Sequence, residues 1–68
     1  EAKARALAKD EPLKGEVRAK YLQGLEYFTN GEYEKALQVW EECRKLQPYN
    51  KRILDSIDEA REVLKKKR

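Results

Sequence analysis

Three features of this 68-residue chain predict an all-α fold, a helical hairpin followed by a third helix. The composition is rich in Ala, Leu, Glu, Lys and Arg, whereas the β-branched residues are one Thr, three Val and two Ile. That balance favours helix over sheet. Apolar residues recur at spacings of three and four, the rhythm of one helical face. Asn30-Gly31 and Pro48 then cut the pattern into segments of ordinary helix length. A chain this short forms one small domain that buries only about 60% of its unfolded surface, and a core of that size rarely supplies more than roughly 3–5 kcal/mol.

Residues 1–10, "EAKARALAKD", favour helix but offer Leu7 as their only large hydrophobe, so a helix there would be marginal on its own. This is a candidate fourth helix, and residues 1–12 are read as a separate N-terminal segment. "DEPLKG" breaks the pattern, with Pro12 suited to the first turn of a new helix and Asp10 or Glu11 near its cap. The first full helix is expected over Leu13–Thr29, with a stripe of Leu13, Val17, Tyr21, Leu25 and Phe28 that Leu22 and Gly24 broaden. Asn30-Gly31 stops it, because both residues tolerate the left-handed backbone of a helix end.

A second helix is expected over Glu32–Gln47. Its stripe is Tyr33, Ala36, Leu37, Trp40 and Cys43, with Leu46 at its edge. Glu34, Gln38, Glu41, Glu42 and Lys45 lie opposite, where Glu41 and Lys45 stand at i,i+4. Pro48 ends that helix, and the short turn before it makes the two helices antiparallel neighbours over residues 13–50. Asn50 is a good N-cap for a third helix over residues 51–68, with Ile53, Leu54, Ile57, Ala60 and Leu64 on one face.

Several function classes are disfavoured by composition. The chain has no histidine, one cysteine and a net charge of +3. A single cysteine forms no disulfide within the chain; with no histidine beside that one thiol an ordinary zinc site cannot be assembled, and Cys43 lacks an imidazole to activate it. Cys43 reads instead as a small buried hydrophobe. No Gly-rich phosphate loop is present, and the carboxylates sit at ordinary helix-surface positions, so neither catalysis nor a cofactor is expected. Lys65, Lys66, Lys67 and Arg68 hold the excess positive charge at one end. Such a cluster reads as a solvated tail that complements the helix dipole. All six aromatics lie between Tyr21 and Tyr49, away from that tail, which argues against a nucleic-acid or acidic-membrane partner. No apolar run approaches the roughly 20 residues that cross a bilayer, and no signal-peptide core is present. The compartment is left open.

Gly24-x-x-Tyr27, Ala36-x-x-x-Trp40 and Pro48, joined by "NGEYEKAL" with Gly31 and Tyr33, together resemble the tetratricopeptide repeat, a helix–turn–helix of about 34 residues. The likeness covers Lys20 to Ile53, half of the chain. It implies a scaffold role for Gly24, Tyr27, Gly31, Tyr33, Ala36, Trp40, Cys43 and Pro48. Gly24 and Ala36 would let the helices approach closely while Tyr27 and Trp40 fill the space beside them, and Tyr33 would seat the turn. Lys20 and Gln23 depart from the apolar residues of the family pattern. Asp58 and Arg61 replace its glycine and tyrosine one period on, so the third helix resembles a polar cap rather than a new repeat. Residues 1–12, with Ala2, Ala6 and Pro12, are similar to a worn second helix of a preceding repeat.

The resemblance implies docking of a peptide or helix of another protein on the concave face. There it points to Arg18, Tyr21, Leu25 and Phe28 on the first helix and to Arg52, Asp55, Glu59 and Glu62 on the third. Tyr21 and Leu25 occupy places where one subset of the family grips a terminal carboxylate with Lys and Asn, so that clamp is not expected. An apolar wall beside an acidic rim suits a partly basic partner. The alternative is self-association. Repeat architectures need about three units, and the missing cover would come from a homodimer, from residues 1–12 folding back, or from flanking repeats. A first residue of Glu rather than Met fits a processed product or a fragment.

Overall fold

The computed structural model describes residues 6–66, which form three helices, α1 (Gly15–Thr29), α2 (Tyr33–Leu46) and α3 (Lys51–Lys66). α1 packs against α2, and α2 packs against α3. The all-α class and the hairpin closed by a third helix are as the sequence predicts.

The bend after α1 is closed by backbone geometry. Gly31 adopts φ +85°, a left-handed conformation that costs glycine nothing. The Gly31 N–H then donates to the Phe28 carbonyl (3.1 Å) and the Glu32 N–H to the Tyr27 carbonyl (2.9 Å). These two bonds form the Schellman pattern and satisfy carbonyls that the helix end would leave bare. Trp40, Ala36 and Cys43 of α2 meet Val17 and Tyr21 of α1 on one side and Ile53, Ile57 and Ala60 of α3 on the other. α2 is therefore the central element, and every residue of this core was on a predicted stripe.

Asn50 behaves as expected and does more. Its Oδ1 accepts from the Arg52 N–H (3.0 Å) and the Ile53 N–H (3.3 Å), which caps α3. Its Nδ2 donates to the Glu11 carbonyl at 3.0 Å, and the residue is fully buried. Around it the N-terminal segment is strapped to the turn between α2 and α3. The Lys9 N–H donates to the Tyr49 carbonyl (2.7 Å), and the Lys51 N–H donates to the Lys9 carbonyl (2.9 Å). This is the isolated parallel bridge between Lys9 and Asn50. Gln47 adds a second clasp, accepting from the Lys14 N–H (3.2 Å) and donating to the Pro12 carbonyl (3.4 Å).

The strap corrects the expectations for the N-terminal segment. The expected helix over residues 1–10 lies partly outside the described residues, and its helical backbone ends at Leu7. Backbone pairing with the 49–51 turn holds the next residues extended instead. α1 begins at Gly15 rather than Leu13, with Lys14 as its N-cap and no side-chain cap from Asp10 or Glu11. Pro12 belongs to the strap and not to the first turn of the helix. Leu13, expected on the stripe of the first helix, packs on the core from the end of the strap rather than from within α1.

Substituting Asn50→Ala should cost about 2 kcal/mol in urea unfolding, the sum of a lost cap and a lost buried hydrogen bond. Asn50→Asp keeps the capping acceptor but sets a carboxylate oxygen against the Glu11 carbonyl. Hydrogen exchange should then accelerate at the Lys9 and Lys51 amides in both variants, whereas the Arg52 and Ile53 amides lose protection only with Ala. Equal protection at Lys9 in all three proteins would show that Asn50 does not hold the strap.

Candidate functional site

Small and large residues meet where α1 crosses α2. Gly24 is buried, and a Cβ placed on it would lie 2.7 Å from Cδ1 and 2.8 Å from Cε2 of Trp40, with Nε1 closer still. The indole therefore lies directly on the α1 backbone, and its Nε1–H donates to the Tyr21 carbonyl at 3.2 Å. The expected closeness at Gly24 is present, but the tight contact there is the Trp40 ring rather than Ala36. The rings against Trp40 are also not the expected ones. Tyr21 stacks on it at 5.7 Å and Phe28 lies at 5.7 Å, while Phe28 meets Tyr33 edge-on at 5.0 Å. Tyr27 sits at the core margin with the Lys35 ammonium 5.8 Å over its ring. The reason is angular: Tyr21, Gly24 and Phe28 share one helical face, and Tyr27 is turned away from its centre.

Cys43 is fully buried, and its thiol donates to the Val17 carbonyl at 3.7 Å. Burial pushes the thiol above its ordinary pKa, so it behaves as the small apolar residue that was predicted. Among the described residues, no group of three or more His, Cys, Asp or Glu is placed to hold a metal ion. Also among them, no buried side-chain polar atom lacks a hydrogen-bond partner.

The eight predicted groove residues do not share one depression. Tyr21, Arg52, Asp55 and Glu59 line one depression between α1 and α3, together with Asp10, Lys51 and Ser56. Arg18 and Arg52 share the adjoining depression with Asp10, Glu11, Pro12 and Leu13 of the strap. The Tyr21 hydroxyl and Ser56 Oγ are 2.7 Å apart and tie the two helices at the groove floor. Leu25 is 38% exposed and faces a separate depression on the outer side of α1 with Ala19 and Leu22. Phe28 is taken up by the aromatic cluster and does not line the groove. Glu62 is exposed one turn beyond Glu59 on the same face of α3.

Sequence reasoning missed Ser56, Lys51 and Asp10 as lining residues. Ser56 carried a usable signal, a small polar residue beside the Ile53–Ile57 stripe. Asp10 carried none, because the strap that delivers it depends on backbone bonds. Leu22, at 52% exposed, does not broaden the buried face, and Leu46 at 54% is likewise outside the core.

Glu41 was expected on the solvent face with Lys45. It instead bridges α2 and α3, accepting from Arg44 (2.7 Å) on its own helix and from Arg61 (2.8 Å) on α3. Lys20, on α1, pairs with Glu42 of α2 at 3.0 Å. This charged contact stands where the resemblance implied an aromatic seal. Partial burial tends to raise the Glu41 pKa, but hydrogen bonds and charge from Arg44 and Arg61 outweigh it and hold the carboxyl below its ordinary 4.5. A depressed folded-state pKa contributes stability at neutral pH, and that contribution is lost as pH falls from 4.5 through the folded value. Glu41→Gln should therefore be less stable than the parent at pH 7, and the difference should shrink steadily as pH falls below 4.5, as read by thermal melts. Partial exposure keeps the difference modest, about 1 kcal/mol.

No described helix is long and apolar enough to cross a membrane. No protein-family model, curated protein or solved structure matches the chain.

Proposed function

We propose that this chain is a non-catalytic protein-binding module that docks a peptide or helix of a partner in the groove between α1 and α3. The observation that carries the reading is the register of those two helices. Arg18 and Arg52 share a depression, and Tyr21 bonds Ser56 across a separation of 35 positions. Both points at which α1 meets α3 are thus offset by an amount close to the repeat period of about 34 residues. α2 packs against both helices, and the rim of the depression carries the exposed side chains of Arg52, Asp55 and Glu59. A depression with a charged rim on an extended helical surface is a form in which helical repeats receive peptides.

Leu25 and Phe28 were the apolar contacts implied by the resemblance, but Phe28 now belongs to the scaffold. Variants that test docking should therefore spare it. Selection of displayed random dodecapeptides on the 68-residue chain should enrich binders that shift the NMR signals of Ser56, Asp55 and Glu59. Those binders should weaken on Ser56→Arg, a substitution at the groove floor, while the thermal melt shows the fold retained. Absence of any enriched peptide, or binders whose shifts cluster elsewhere, would overturn the reading.

A further inference from the structure

We propose that the strap end of the molecule is a peripheral docking surface for an anionic lipid layer, a contact separate from the α1–α3 groove. The antiparallel course of the helices gathers the start of α1, the end of α2 and the start of α3 at that end. The Lys14 N–H meets the Gln47 side chain there, and Lys9 pairs with the 49–51 turn. The turn after α1 lies at the opposite end, where Gly31 and Tyr33 share a depression with Leu64 of α3.

Two observations coincide at the strap end. The first is apolar exposure. Among the described residues five large hydrophobics are exposed, and three of them, Leu7 (47%), Leu46 (54%) and Tyr49 (44%), belong to the N-terminal segment and the α2–α3 turn. Pro48 is exposed beside them. The second is charge. Residues 45–52, "KLQPYNKR", hold three cations and no carboxylate, and Lys45, Lys51 and Arg52 are all exposed. Residues 9–18 add three cations and three carboxylates, which balance. Leu46 and Tyr49 thus stand between exposed lysines on a tip of net positive charge.

The mixture of side chains selects the occupant. A bilayer interface accepts aliphatic groups below its surface, tyrosine at the boundary and ammonium groups at the phosphates. Lysine stems can lie along the apolar layer while their charges reach the headgroups. A nucleic acid would use Tyr49 for stacking but offers Leu7 and Leu46 no apolar interior. The expectation against a lipid partner rested on the 65–68 tail, which has no aromatic beside it. The α2–α3 turn is a different cation cluster, and Tyr49 lies inside it. Contact at this end needs no membrane-spanning helix.

The test is co-sedimentation of the 68-residue chain with vesicles. Binding is expected to equimolar phosphatidylserine and phosphatidylcholine, and not to phosphatidylcholine alone. Raising salt from about 0.1 M to about 1 M shortens screening from about 10 Å to about 3 Å and should release most of the bound protein. Lys45→Gln/Lys51→Gln should weaken partitioning about thirtyfold, which is about 1 kcal/mol for each lysine. Leu46→Ser/Tyr49→Ser keeps the charge and should weaken partitioning at least about fivefold. All four sites are exposed, so the melts of both variants should match the parent. Tyr49→Trp should place an indole where acyl-brominated lipid quenches it, whereas the buried Trp40 of the parent should not be quenched. Lys65→Gln/Lys66→Gln removes the same charge about 20 Å further along α3, beyond the screening length of about 10 Å, and should change partitioning less than about twofold. Absence of vesicle binding would overturn the lipid surface. So would loss of binding with the 65/66 pair but not with the 45/51 pair, or binding of an acidic peptide or single-stranded RNA in place of vesicles. Each of these outcomes leaves groove docking standing, because the displayed peptides test it separately.

Discussion

Replacing Gly24 by Ala is expected to destabilise the protein by about 2–3 kcal/mol, the cost of forcing an extra carbon into a packed site. The sign is the informative part. In most helix interiors this substitution stabilises by up to about 1 kcal/mol, because Ala is the better helix former. Here the added Cβ would overlap the Trp40 indole, with Cδ1 at 2.7 Å and Cε2 at 2.8 Å. The ring cannot swing aside easily, since Tyr21 and Phe28 hold its faces and its N–H is bonded to the α1 backbone. Against a total of roughly 3–5 kcal/mol for a domain of this size, the loss should leave a visible unfolded fraction at room temperature. Trp40→Phe trims the ring, so the same Gly24→Ala change should cost at least about 1 kcal/mol less in that background. A Gly24→Ala variant as stable as the parent would show that α1 and α2 do not approach this closely.

Trp40→Ala should be more damaging still, by about 3–5 kcal/mol, the usual cost of emptying a large aromatic site in a core. Trp40 is 1% exposed and touches the faces of two other rings. It is also the residue through which α2 fills the space opened by Gly24. The variant is expected to lose the cooperative melt and much of its helical circular dichroism at 25 °C. Trp40→Phe should retain the fold with a lower midpoint, because ring stacking survives while the bond to the Tyr21 carbonyl is lost. As the sole Trp, Trp40 reports its own surroundings. Its emission should be blue-shifted in the parent and move red on unfolding. Emission typical of water under native conditions would contradict the buried indole.

Much of the fold was legible because its determinants are local. Asn30-Gly31 announces a helix end through backbone freedom, and Asn50 announces a cap through a side chain that can reach two free amides. Ile53, Leu54, Ile57 and Ala60 spell out one face, and all four are buried. The aromatic cluster was legible in the same way. Periodicity placed Tyr21 and Phe28 on one stripe, and that stripe identified the rings on Trp40 better than the family pattern, which favoured Tyr27. The strap was not legible. Its bonds at Lys9, Glu11 and Lys14 use backbone groups that every sequence possesses. The bridging role of Glu41 was hidden for a related reason. A helical wheel ranks positions within one helix, but Glu41 is fixed by Arg61 on another. The groove lies between these extremes. Tyr21, Arg52, Asp55 and Glu59 line it as expected, Leu25 and Phe28 lie elsewhere, and the strap that closes one end emerged only from the tertiary arrangement.

The pairing of Lys9 with the 49–51 turn also bears on how the chain folds. In a stack of repeats each unit touches only its neighbours, so ends can fray while the middle persists. Here residues 9–11 are fastened some forty positions downstream, closing a loop that contains α1 and α2. Such a closure can form only after the hairpin has brought both parts together, and its entropic cost rises slowly with the length enclosed. Loosening any one helix releases the clasp, and releasing the clasp uncovers Leu13 and the cap of α3. The module is therefore expected to melt as one cooperative unit, without the stepwise unravelling of longer arrays.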